Sequence, residues 1–120
     1  MEIEVDELEA DGGKIARVRL IGEVDLANAD ELSEVLGSKA CTDSAGILLD
    51  LRELEFMDSS GLRAVLIAAQ EREERFATVL SEGSAVGTLF EMVDVSDRLC
   101  VASDEAEAIA HIRAGADAPT

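Results

Sequence analysis

Two serines stand side by side in Asp58-Ser59-Ser60-Gly61, directly ahead of a stretch with helical apolar spacing. A helix start presents unpaired backbone N–H groups and a partial positive charge. Asp58, Ser59 and Ser60 can each cap such a start, since short oxygen-bearing side chains are favoured there. Three features set this tetrapeptide apart from a plain cap. It follows the apolar run Ile47-Leu48-Leu49-Asp50-Leu51 through a short connection, Arg52-Glu53-Leu54-Glu55-Phe56-Met57. It presents two adjacent hydroxyls. A second unusual loop, Gly22-Glu23-Val24-Asp25, closes an earlier strand and is expected at the same end of the sheet.

The other reactive side chains support little. His111 is the only histidine, so neither a Ser-His-Asp or Cys-His pair nor a His-Cys zinc site has support. Phosphate-loop and dinucleotide fingerprints are absent. Glu71, Glu73 and Glu74 lack the spacing of a calcium loop and read as a solvated helix face. Asp50, near the end of its apolar run, sits where receiver domains carry a phosphate-accepting aspartate. That chemistry also needs an acidic pair after the first strand and a lysine after the last. The only lysines are Lys14 and Lys39, both in the first third. Cys41 and Cys100 form no CxxC motif and are expected as free, buried thiols in a reducing cytoplasm. The reading is therefore a binding module, not an enzyme, with no cofactor and no metal.

Length and charge agree. The chain has 120 residues, enough for one domain, and its 2% aromatic content requires a core of Leu, Ile, Val and Ala. A formal charge of −17 argues against nucleic acid and anionic membrane as partners, because both select basic surfaces. The acidic N-terminus and the lack of a run near the ~20 apolar residues of a membrane span predict a cytoplasmic protein.

The elements that must position the serines follow from periodicity. Ile3 and Val5 alternate with Glu2, Glu4 and Asp6, and Ala16, Val18 and Leu20 alternate with Arg17 and Arg19. With a turn signal at Asp11-Gly12-Gly13-Lys14, these read as an antiparallel hairpin whose acids and arginines face each other. A helix is expected from Asn28 to Leu36, with capping-box spacing to Glu31 and Gly37 as its stop. Ile47 to Leu51 reads as a strand covered on both faces. The helix opened by Asp58-Ser59 is expected to reach Arg75, with Leu62, Val65, Leu66, Ala69 and Glu73 as its stripe and Phe76 continuing it. Phe76–Leu80 and Leu99–Ala102 read as strands, and Ser84–Met92 and Asp104–Ile112 as helices. The fold class is α/β: a mixed, largely parallel sheet of about five strands with about four helices packed on it. The domain is expected over residues 1–114, with a disordered tail over 115–120.

The run from Asp50 to Leu62, with Asp58-Ser59-Ser60-Gly61-Leu62 at its end, resembles the signature of the STAS domain, in particular of the bacterial anti-sigma factor antagonists. Gly22-Glu23-Val24-Asp25 matches that family's first loop, and Ser84-Ala85-Val86 through Leu99-Cys100-Val101 is similar to its third helix and last strand. The resemblance spans about Glu2 to Ile112. It implies a phosphorylation switch at Ser59, the serine directly after the aspartate. The kinase would be the partner anti-sigma factor itself, a serine kinase of the GHKL ATPase fold, and a PP2C-type phosphatase would reverse the modification. The unphosphorylated form would bind the anti-sigma factor and free a sigma factor. The alternative is a constitutive STAS adaptor subunit of a lipid-transport or stressosome-like sensory complex.

The partner-binding residues expected are Glu23, Asp25, Asp58, Ser60, Gly61, Arg63 and, from helical spacing, Ile67 as a hydrophobic anchor one turn beyond Arg63. Many members carry a small residue after Gly-Leu, where this chain has Arg63. Helical spacing places Leu62, Leu66 and Ala69 toward the sheet and Ser60, Arg63, Ala64 and Ile67 on the opposite side. A phosphate on Ser59 would gain roughly 0.3–1 kcal/mol from the helix start, opposed by Glu23, Asp25 and Asp58.

Overall fold

The alternating N-terminal segment folds into two antiparallel strands, β1 (Glu2–Ala10) and β2 (Gly13–Val24). The computed structural model describes residues 1–10, 13–73, 75–95 and 98–116, so the turn signal at Asp11-Gly12 lies outside it. The register sets Asp6 opposite Arg17 and Glu4 opposite Arg19. Both couples close as ion pairs, with Arg17 Nε donating to Asp6 Oδ1 at 2.9 Å and Arg19 Nη1 lying 3.6 Å from Glu4 Oε1.

The chain continues through α1 (Ala29–Leu36), α2 (Lys39–Thr42), β3 (Gly46–Met57), α3 (Ser59–Arg72), β4 (Phe76–Val79), α4 (Ala85–Met92), β5 (Val101–Ala102) and α5 (Glu105–Ala116). The strands lie in the order β1-β2-β3-β4-β5, and every neighbouring pair after the first is parallel. This is the mixed α/β sheet read from the sequence, with the one-turn α2 as an additional fifth helix.

The pleat sends side chains to two cores. Ala16, Val18, Leu20, Ile47, Leu49 and Leu51 pack beneath the helices α1, α3 and α4. Ile15, Leu48, Ala77 and Val79 face the other way, onto Ala108 and Ile112 of α5. The sheet is thus covered on both faces at β3, which explains that strand's unbroken apolar run.

Several expectations are corrected. The stretch Arg52 to Met57 is not a connection but the second half of the 12-residue β3. Opposite β2, the register slips between Arg19 and Ile21 and again between Gly22 and Glu23, each time giving β3 one extra residue. Each bulge resets the alternation, so Leu51, Leu54 and Met57, three residues apart, all reach the same core. Gly22, at the second slip, has φ +99°, a conformation that a side chain disfavours.

Asp50 consequently lies within a strand, not near its end. It is 2% exposed and held by Arg52, Nε to Oδ1 at 3.0 Å and Nη2 to Oδ2 at 2.8 Å. Arg52 and Arg17 both continue to Glu105 of α5, at 3.1 and 2.8 Å. Burial raises the Asp50 carboxyl, but the hydrogen bonds and charge of Arg52, with Arg19 behind it, outweigh burial and leave its pKa lowered. The aspartate ties β3 to α5 and is no phosphate acceptor facing solvent.

Helix α3 ends at Arg72, short of Arg75, because Glu73 turns into the left-handed region at φ 55° to return the chain to β4. Glu73 is exposed and contributes nothing to the stripe. Ala64, expected outward, is buried together with Ala68, because α1 covers that side of α3. Only two residues of the Leu99–Ala102 segment pair as a strand. Helix α5 runs through Gly115 to Ala116, and residues 117–120 lie outside the described residues. Cys41 is buried and Cys100 partly exposed, and the two form no disulfide.

Candidate functional site

The parallel pairing of β2 with β3 brings their carboxyl ends together, Val24 against Met57. Asp58 N donates to Val24 O at 3.1 Å, fastening the two loops at this end of the sheet. The Glu23–Asp25 loop and the start of α3 therefore meet, as their sequence positions suggested.

Of the three possible caps, Asp58 is the one used. Its Oδ1 accepts from Ser60 N at 2.9 Å and Gly61 N at 3.2 Å. Two of the free N–H groups of the helix start are thereby occupied by a carboxylate. Ser59, the first helical residue, is left exposed, and its hydroxyl has no partner among the described residues. Ser60 is half-buried. The two hydroxyls are therefore not equivalent: one faces solvent and one leans into the fold.

Gly61 is buried, under the loop and not on its surface. A Cβ there would stand 2.6 Å from Val24 Cγ1 and 2.9 Å from Met57 Cγ. The absent side chain lets the first turn of α3 settle on the ends of β2 and β3. Val24 and Met57 form this seat; their apolar character at strand ends was the only sequence signal for it.

The opposing loop is shaped by Asn28, which the sequence suggested as a helix cap. No cap hydrogen bond forms. Instead Asn28 Oδ1 accepts from Asp25 N at 2.9 Å, and its Nδ2 donates to Glu23 O at 3.0 Å. Asp25 Oδ1 accepts from Ala27 N at 3.0 Å, completing a compact turn. Glu23 and Asp25 are exposed beside it, and Leu26 at the loop's tip is 77% exposed. On α3, Arg63 and the 48% exposed Ile67 extend the outward stripe that begins at Ser59.

Among the described residues no side chain is placed to deprotonate Ser59, since its hydroxyl makes no hydrogen bond there and His111 sits on α5, beyond the sheet. Among the described residues no group of three or more His, Cys, Asp or Glu is placed to hold a metal, and no helix is long and apolar enough to cross a membrane. A concavity of about 610 Å³ opens beyond β4 and β5, next to the start of α4. Its hydroxyls are engaged internally: Ser81 with Arg52 O, Ser84 with Gly87 N, Thr88 with Ser84 O and Ser103 with Glu107. What the Ser59 end offers is a surface: an exposed hydroxyl on the first turn of a helix, beside the acidic Glu23–Asp25 loop and the exposed side chains of Leu26 and Ile67.

The family model of the STAS domain matches residues 8–108. An anti-sigma-B factor antagonist from Staphylococcus aureus is 28% identical over 90 residues, covering 73% of this chain and 83% of the relative. Among solved structures, an anti-sigma factor antagonist from Mycobacterium paratuberculosis superposes with a TM-score of 0.76 at 18% identity, over 93% of this chain and 95% of that one. The Bacillus cell fate determinant SpoIIAA in its phosphorylated form gives 0.63 at 23% identity, over 93% of this chain and 100% of that one. With the family model covering residues 8–108, most of the sequence, and the fold superposing on solved anti-sigma factor antagonists, this chain belongs to the STAS domain family.

Proposed function

We propose that this chain is an anti-sigma factor antagonist switched by phosphorylation of Ser59. The unphosphorylated form binds an anti-sigma factor of the GHKL serine-kinase fold and releases a sigma factor. Phosphorylation by that partner ends the interaction, a PP2C-type phosphatase restores it, and the cycle runs in the cytoplasm. The observation that carries this reading is the exposed, unpartnered Ser59 hydroxyl on the first turn of a helix whose cap is already complete.

In the modification, Ser59 Oγ attacks the γ-phosphorus of ATP. The new P–O bond forms as the bond to the β,γ-bridging oxygen breaks, ADP leaves, and the hydroxyl proton passes to a base of the kinase, since none is placed beside Ser59 among the described residues. The modified residue can be accommodated without rearranging the fold, because nothing covers it. Docking cannot accommodate it so easily. Sealing a dianion against a partner removes its water at a cost of several kcal/mol unless it is paired. About 3 kcal/mol alone is more than a hundredfold in affinity. In this reading Glu23, Asp25, Arg63 and Ile67 meet the partner, while Asp58, Ser60 and Gly61 set the height and angle of Ser59 from below.

Incubation with kinase-type anti-sigma factors and ATP, followed by intact mass measurement, tests the proposal. One added phosphate, absent in Ser59→Ala, is expected. No gain with any such partner, together with stable co-purification in a transport or sensory complex, replaces it with the adaptor reading.

A further inference from the structure

A phosphate on Ser59 cannot be held by the helix start alone. The Ser60 and Gly61 N–H groups are already bonded to the Asp58 carboxylate. Acids lie beside the position: Asp58 itself, and Glu23 and Asp25 on the facing loop, which Asp58 N fastens through Val24 O. A new dianion there needs a cation.

One is in place. Arg63 stands four residues after Ser59 on α3, and both are exposed. Side chains at that spacing are helix-surface neighbours, ~5–6 Å apart at Cβ, and an acid preceding a base is the favourable order. Arg63 has no hydrogen bond or ion pair among the described residues. Arg17, Arg19, Arg52 and Arg72 are all engaged with carboxylates or carbonyls. The planar guanidinium fork matches phosphate oxygens. No packing has to change for the two groups to meet, because the buried side of this turn is Gly61, Leu62, Ala64 and Val65.

We infer that Arg63 is the intramolecular counter-ion of phosphorylated Ser59. The switch then acts twice: phosphorylation adds a dianion to the docking surface and withdraws a free cation from it. This rests on Ser59 as the phosphorylated residue and adds a positioning role for Arg63, which holds the phosphate without reacting.

The test installs phosphoserine at position 59 during translation by codon reassignment, so that no kinase is needed. The second phosphoserine pKa is then followed by ³¹P NMR in the otherwise native chain, in Arg63→Gln and in Arg63→Lys. The native arginine is expected to hold that pKa about 0.2–0.4 below its value in Arg63→Gln. Lysine should recover part of the difference, and 1 M salt should shrink it. Movement of the Arg63 Nε–H resonance on phosphorylation is a second expected sign. Equal pKa values in the native and Arg63→Gln proteins overturn the inference. That result would leave Ser59 phosphorylation untouched, whereas failure of the kinase to modify Ser59 would leave the pKa comparison intact.

Discussion

Gly61→Ala isolates the contact that seats the Ser59 helix. The added methyl would lie 2.6 Å from Val24 Cγ1, 2.9 Å from Met57 Cγ and 3.2 Å from Val24 Cβ, where ordinary contact begins at 3.4 Å. Val24 is fully buried and Met57 nearly so, and the branched valine has little rotamer freedom to yield. The first turn of α3 must therefore rise by close to an ångström, or the strand ends must part. Overpacking of this kind costs ~1–3 kcal/mol. Alanine's better helix propensity returns up to ~1 kcal/mol in a helix interior and less in the first turn. The net loss is about 1–2 kcal/mol, or ~4–8 °C in Tm for a domain of this size. Thermal and urea unfolding followed by circular dichroism at 222 nm reads it directly. A cycle with Val24→Ala removes the nearest methyl, so Gly61→Ala should cost less in that background. An unchanged or raised Tm for Gly61→Ala, or the same cost in both backgrounds, refutes the argument.

Three further outcomes follow from the same geometry. Asp58→Ala leaves the Ser60 and Gly61 N–H groups without their acceptor and should lower stability by ~1 kcal/mol in urea melts, while Asp58→Ser keeps most of it; equal loss in both variants would mean that the cap is not what Asp58 provides. Asp50 has a lowered folded pKa, so its stabilisation is complete above the unfolded value of ~3.9 and fades as pH falls through the folded value. Asp50→Asn should accordingly be ~2 kcal/mol less stable at pH 7, with the gap to the native protein closing below pH ~4; a gap that stays constant with pH contradicts the network. Ile67→Glu should change Tm little, since half of the side chain already faces water, yet weaken the complex with an anti-sigma factor in calorimetric titration. Unchanged affinity removes Ile67 from the docking surface.

Much of this protein is written in local pattern. Period-two alternation marks β1 and β2, and opposite charges on their outer faces pair as Asp6–Arg17 and Glu4–Arg19. The continuous apolar run of β3 announces a strand buried on both sides, and Asp58-Ser59-Ser60-Gly61 announces a helix start. Those signals are local because they depend on which face a residue occupies within its own element.

What only the tertiary structure decided depends on a neighbour. Leu51, Leu54 and Met57 follow a spacing of three, which reads as no strand until two bulges against β2 turn them to one core. Ala64 looks like a surface residue until α1 lies over it. Asp58, Ser59 and Ser60 are equal candidates as caps in the sequence. The docking of α3 on Val24 and Met57 puts the carboxylate at the N–H groups and leaves one hydroxyl free in water. Propensity and periodicity describe a residue's own backbone, whereas burial, register and hydrogen-bond choice are set by chain segments tens of residues away.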